Sequence, residues 1–258
     1  FLSMPALRNI YAQKENKIDF RDIMNSKKIL LINLSKGKIG EENSSFFGSM
    51  FITKIKQAGM ARAEIAEDQR QSFYLYADEF QNLVTDSFVN LFSEARKYGI
   101  NLTVAHQYTA QLLPEVLATV LGNVANIIAF RVGGEDAEKL EAEMTPLFKA
   151  KDMINLGMQE FYIKETIDGE TYDPFSAETL KIFPPPHESF KQRIKDTSRK
   201  KYAMRTEDVK KMLQEEQDAV LFRIPAAGAG TREASPPTGG EASTQSSLLP
   251  NTPPEPLI

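Results

Sequence analysis

Short apolar runs alternate along this chain with stretches in which apolar residues recur every three or four positions. The runs lie at 29–34, 73–77, 102–105 and 127–132. Each is bounded by polar segments, as expected of a strand buried on both faces. Between them, 44–62 offers Phe47, Met50, Phe51, Ile55 and Met60 as one helical face. A second helix is expected over 86–97, with Asp86 as its cap and Phe88, Leu91, Phe92 and Ala95 inward. Gly99 suits the left-handed position just past its end. Shorter helices are expected over 113–121, with Pro114 in the first turn, and over 135–144, with Ala137, Leu140 and Met144 inward. The alternation predicts an α/β layer: a mainly parallel sheet with right-handed crossovers, flanked by helices.

Beyond 144 the pattern changes. Two alternating runs, 160–167 and 170–175, meet at Asp168-Gly169, a type I′ hairpin signal that predicts an antiparallel addition. Pro184-Pro185-Pro186 then closes the globular part, which we set at 1–186. A helical extension, 187–222, is locally basic. Lys191, Arg193, Lys195, Arg199, Lys200, Lys201, Arg205, Lys210 and Lys211 outnumber Glu188, Asp196, Glu207 and Asp208. Such a stretch is more often a solvated face than a contact for nucleic acid or anionic lipid. Thr206 followed by Glu207 and Asp208 reads as a helix start. The remainder, 223–258, is rich in Pro, Gly, Ser and Thr, too poor in apolar residues to fold alone, and is expected to be a disordered tail.

Composition narrows the possibilities. At 258 residues and 41% apolar, the chain can build one sizeable core with appendages. A net charge of −4 gives no global basic field, so any nucleic-acid contact must be local. Without cysteine there is neither a disulfide framework nor a thiolate metal site. The only histidines, His106 and His187, exclude a histidine-rich metal centre. No apolar run reaches the ~20 residues that span a bilayer. A cytoplasmic location fits, with any membrane anchor expected upstream of Phe1.

The candidate chemistry sits at the end of the 73–77 run, where Asp78 and Glu79 stand side by side. In an open α/β sheet, ligands bind at the carboxyl ends of the strands. Two acids there suit a hydrated Mg²⁺ and an attacking water, the Walker B arrangement of nucleotide-driven motors. The bland alternative is a solvated Asp-Glu turn. The next strand ends in Gln107 on the same sheet edge, and the helix between carries Arg96 near its end. Together these supply a metal-binding acid, a water-polarising acid, a γ-phosphate sensor and an arginine. Arg131 lies near the end of the 127–132 run. It is read either as a second phosphate or subunit-interface arginine or as a salt-bridge partner of Glu135 or Asp136.

The runs Asp-Glu-Phe-Gln at 78–81, Glu-Ala-Arg-Lys-Tyr-Gly at 94–99 and His-Gln-Tyr-Thr-Ala-Gln-Leu at 106–112 resemble those of the FtsK/HerA-type motor ATPases. Within them the chain looks most like the coupling proteins of conjugation and type IV secretion. The resemblance spans about 1–202 and is most specific over 73–136. It implies a RecA-like ATPase layer with ATP and Mg²⁺ as cofactors and DNA as partner. It further implies a homo-oligomeric, hexameric ring tied to membrane secretion machinery. By the same resemblance Asp78 and Glu79 are Walker B, Gln107 contacts the γ-phosphate and Arg96 serves a neighbouring subunit's nucleotide.

One element of the motif set is missing. No Gly-x-x-x-x-Gly-Lys-Ser/Thr phosphate loop is present. The nearest segment, Ser35-Lys36-Gly37-Lys38-Ile39-Gly40, has the wrong spacing and reads as a strand-to-helix turn. The expectation is therefore the C-terminal part of a motor whose Walker A lies upstream, and a chain inactive by itself. Alternatives are a secretion ATPase that powers protein or pilus export, a HerA-like DNA helicase, and a non-catalytic interaction protein that kept the fold.

Overall fold

A computed structural model of the chain describes residues 5–11, 13, 15–184 and 188–221. The elements, in order, are α1 (Pro5–Tyr11), α2 (Phe20–Asn25), α3 (Lys36–Ile39), α4 (Glu41–Met60), β1 (Phe73–Ala77), α5 (Asp86–Glu94) and β2 (Ile100–Val104). There follow α6 (Pro114–Asn123), β3 (Ile127–Ala129), α7 (Gly134–Met144), α8 (Ala150–Ile154) and β4 (Glu160–Lys164). The chain continues with β5 (Thr166–Ile167), β6 (Glu170–Thr171), β7 (Phe175–Glu178), α9 (Lys191–Tyr202) and α10 (Thr206–Leu221). Two compact units result: Lys14–Met204, and the chain ends up to Gln13 and from Arg205. In the second unit α1 contacts α10.

In the larger unit β1 and β2 pair in parallel, Phe73 opposite Ile100 through Ala77 opposite Val104. Phe73, Leu75 and Ala77 join Ile100, Leu102 and Val104 in a core with Ile52 and Ile55 of α4 and Phe88 and Leu91 of α5. Two glycines let α4 approach. A Cβ at Gly48 would lie 2.1 Å from Leu83 Cδ2, and one at Gly59 would lie 2.6 Å from Ile100 Cδ1. Phe80, wholly buried, meets Phe88 and Phe92 edge-on, with ring centroids 5.9 and 6.3 Å apart.

Helix α5 starts one residue earlier than expected. Thr85, not Asp86, is the cap, and its hydroxyl accepts from the Phe88 amide at 3.3 Å. Asp86 sits instead in the first turn, favourably near the positive helix end. After Glu94 the helix tightens to 3₁₀ geometry and ends at Gly99, whose φ of 67° is left-handed. Arg62, fully buried, braces the amino ends of both strands. It donates to the carbonyls of Tyr98 (2.9 Å), Gly99 (3.4 Å) and Gln71. Burial, helped by neighbouring Arg70, pushes its pKa down.

A second apolar cluster, built on Ala129, Ala137, Met144 and Met153, joins α7 and α8 to an antiparallel sheet ordered β3-β4-β7. The expected hairpin is present as β5 and β6, turned by Asp168 (φ 52°) and Gly169 (φ 87°). Helix α7 is as read from its periodicity, with Ala137 and Met144 buried.

The expected α/β architecture is borne out, with three local differences. Residues 29–34 form no strand; Ile29 is 90% and Leu31 78% exposed. Tyr74 and Tyr76, on the outer face of β1, are exposed too. That face is uncovered, and a strand gains its register from burial, so the apolar run has nothing to align against. Third, β3 is three residues long and pairs antiparallel with β4, outside the parallel pair. In the basic stretch α9 has no buried residue. The tail expected over 223–258 lies outside the described residues. Among the described residues, no helix is long and apolar enough to cross a membrane.

Phe80 is the hinge of the first core. Phe80→Ala is expected to cost about 3–5 kcal/mol, read as a lower urea midpoint with unchanged slope. A loss under about 1 kcal/mol would remove Phe80 from that role.

Candidate functional site

Parallel pairing in register brings the carboxyl ends of β1 and β2 out on one edge. The backbone stays clasped one step further: Ala105 N–H donates to Ala77 O and Phe80 N–H to Ala105 O, both at 3.0 Å. Asp78, Glu79, His106 and Gln107 therefore leave the sheet side by side. Glu79 itself is left-handed at φ 51°. That conformation is uncommon without glycine and costs of order 1–3 kcal/mol. It reverses the chain at once, so that Phe80 dives into the core while the Glu79 side chain stays at the rim.

The Glu79 carboxylate is held from both sides. Gln107 Nε2 donates to Oε1 at 2.5 Å and Gln81 Nε2 donates to Oε2 at 2.6 Å. Asn82 Nδ2 steadies the same turn on the Glu79 carbonyl at 3.1 Å. Asp78 is exposed, and among the described residues its Oδ1 accepts only the Glu79 amide, at 3.0 Å. Its second oxygen is thus open to solvent and to a hydrated cation. Of the expected residues, Asp78, Glu79 and Gln107 are brought together.

Arg96 is not among them. It follows α5 in the 3₁₀ turn that precedes β2, and so lies at the amino edge of the strands. Five residues of β2 separate that edge from the acids, a span of about 16 Å. Arg96 is exposed. Lys97, next to it in the same 3₁₀ turn, is exposed too. Arg131 is exposed just beyond β3 and makes no ion pair among the described residues. Asp136, one of its proposed partners, bonds Thr109 instead. The segment 35–40 forms α3 and a turn at Gly40, with Lys36 paired to Glu41 at 2.6 Å. It builds no phosphate cradle.

The roles of three contributors, Gln81, Asp136 and Thr109, were not readable from the sequence. Gln81 was visible only as part of a motif, because its role depends on the left-handed turn at Glu79. Asp136 and Thr109 stand 27 positions apart and are joined by tertiary packing alone.

His106 lies between these groups. Its ring meets Phe80 edge-on at 5.2 Å. Burial pushes its pKa below the ordinary value, only partly offset by the charges of Asp136 and Glu79.

A family model described as "TraM recognition site of TraD and TraG" matches residues 72–144. The resemblance to coupling-protein motor ATPases is thereby borne out over the segment that holds Asp78, Glu79 and Gln107. Among solved structures, the chain is similar to TrwBΔN70, described as a bacterial conjugative coupling protein, in an unbound form, at 13% identity and a TM-score of 0.45. That alignment covers 54% of this chain and 38% of the coupling protein, so the chain spans well under half of its length. It is also similar to the genome packaging NTPase B204 of Sulfolobus turreted icosahedral virus 2. With AMPPCP bound, that structure gives 16% identity and a TM-score of 0.43; with ATP-γS bound, 15% and 0.44. Each alignment covers 65% of this chain and 74% of the viral protein. No curated protein matches the chain.

The lowered pKa of His106 sets a pH dependence. A base neutral in the fold but titrating normally when unfolded keeps its full contribution above about pH 6.5. The contribution is lost as pH falls from there toward the lower folded value. Urea unfolding at pH 7.5 and 5.5 is expected to show a larger loss for the wild type than for His106→Phe. Equal losses would contradict a neutral, partly buried His106.

Proposed function

We propose that this chain supplies the hydrolytic half of an ATP-driven motor of the conjugative coupling-protein class. The observation that carries this is the convergence of Asp78, Glu79 and Gln107 at the carboxyl edge of a parallel strand pair. In this reading Asp78 would hold Mg²⁺ through its water shell. Glu79 orients and polarises the attacking water, and Gln107 leaves Glu79 to contact the γ-phosphate. The residues present fit a hydrated Mg²⁺, because the open Asp78 carboxylate can accept its waters. Mg²⁺ would neutralise charge on the β- and γ-phosphates. The phosphate cradle is supplied by a Gly-x-x-x-x-Gly-Lys-Thr loop outside these residues, and the chain alone is inactive.

The motor assembles as a ring, a hexamer, and moves DNA. In this reading Arg96 serves a neighbouring subunit's nucleotide, which its exposure and its distance from its own chain's acids support. Arg131 remains a candidate for the same interface. The matched family's description also supports a TraM-type protein as a partner of 72–144. Protein or pilus export by the same motor is the second reading, favoured only if DNA does not stimulate turnover.

The test uses rings whose subunits join these residues to a phosphate loop. Arg96→Ala is expected to lower turnover by about 10³-fold or more, the scale of an arginine finger. Arg96→Lys should recover little, since ammonium lacks the planar fork. Glu79→Gln should bind ATP and not turn it over. Mixing Arg96→Ala with Glu79→Gln subunits should restore part of the activity. Co-assembly without restoration removes Arg96 from trans action, and wild-type turnover by Glu79→Gln removes the ATPase reading.

A further inference from the structure

Two residues beyond Gln107, the chain is gripped by a helix from the other apolar cluster. Asp136 lies in the first turn of α7 and is 7% exposed, yet it does not cap its own helix. Its Oδ1 instead accepts from Thr109 twice, from the backbone N–H at 3.1 Å and from the hydroxyl. Thr109 is itself 4% exposed. One helical turn on, Lys139 Nζ donates to the same Thr109 hydroxyl at 3.0 Å. The result is a directed chain, Lys139 to Thr109 to Asp136, in which each donor has one acceptor. The two Thr109–Asp136 bonds are buried, whereas Lys139 is exposed; buried bonds are strengthened by their low-dielectric surroundings and costly to break.

Gln107 is thus straddled. On one side His106 is seated on Phe80; on the other Thr109 is tied to α7. Between these anchors Gln107 is exposed, with Glu79 as its partner among the described contacts. No other contact among the described residues fixes where its amide points. We infer that Asp136 and Thr109 are positioning residues for the Gln107 loop: α7 sets the place of Gln107 opposite Glu79 through a buried Thr-Asp latch. The inference rests on the ATPase reading for its consequence, but the latch itself is a property of this chain. Because the latch starts on α7, anything that shifts α7 would move Gln107 without touching the acids.

The test begins with this chain as it is. The side-chain amide of Gln107 should give an NMR signal displaced from that of a free amide, with contacts to Glu79. Asp136→Ala should return that signal to the free position, and Thr109→Val, which keeps the backbone N–H bond to Asp136, should move it part of the way. Thr109→Ser keeps the hydroxyl and should retain the wild-type signal; so should Asp136→Asn, whose carbonyl oxygen still accepts. An unmoved Gln107 signal in either disruptive variant, in a protein with a dispersed spectrum, overturns the inference. If Asp136→Ala does not fold, the Thr109 pair decides it alone.

The second arm uses rings that carry a phosphate loop. Thr109→Val should lower kcat by about 10²-fold, the cost of a small misplacement, with KM for ATP changed less than about twofold. Thr109→Ser should recover most of kcat. If Glu79→Gln abolishes turnover while Thr109→Val does not lower it, the positioning role fails and the ATPase reading stands. If Glu79→Gln leaves turnover intact, the ATPase reading fails, and the NMR result still judges the latch.

Discussion

Everything at the candidate site depends on the parallel register of β1 and β2. Pairing Ala77 with Val104 puts the last residues of both strands level, and the clasp through Ala105 extends the alignment to Glu79 and Gln107. A slip of one residue would turn Phe73, Leu75 and Ala77 out of the core and carry the acids to the wrong face. The register is held from both ends. Arg62 ties the entering carbonyls together, and Phe80 anchors the exit turn beneath the acids. The left-handed backbone at Glu79 is tolerated because the Phe80 contacts over-determine it.

The same geometry separates two kinds of residue that stand close in sequence. Glu94 and Arg96 are neighbours, yet Glu94 binds Lys56 of α4 at 3.3 Å, a bridge within the fold, while Arg96 faces outward. A parallel crossover explains this. The helix must return to the amino edge before the next strand begins, so a residue at its end is carried away from the site made by the strand ends.

Much of this was legible in the sequence, because it depended on local pattern. The apolar run at 73–77, the helical spacing of Phe88 and Leu91, Gly99 as a stop and Asp168-Gly169 as a hairpin each follow from one element's own chemistry. The meeting of Asp78, Glu79 and Gln107 followed from the topology those elements imply. What escaped needed information from elsewhere in the fold. Whether 29–34 forms a strand depends on what covers the face of Tyr74 and Tyr76, not on its own residues. The partner of β3 depends on β4, more than thirty positions away. Asp136 reads as an ordinary first-turn acid of an amphipathic helix, and only the fold shows that it serves Thr109.

The central claim is that these strand ends form the hydrolytic side of a Mg²⁺-ATP site. The most direct measurement is a structure of the assembled ring, with phosphate loop, Mg²⁺ and a non-hydrolysable ATP analogue bound. The account predicts a metal-bound water on Asp78, a water on Glu79 in line with the γ-phosphorus, and Gln107 moved from Glu79 to the γ-phosphate. A nucleotide bound away from this edge, with the Gln107–Glu79 bond intact, would contradict it.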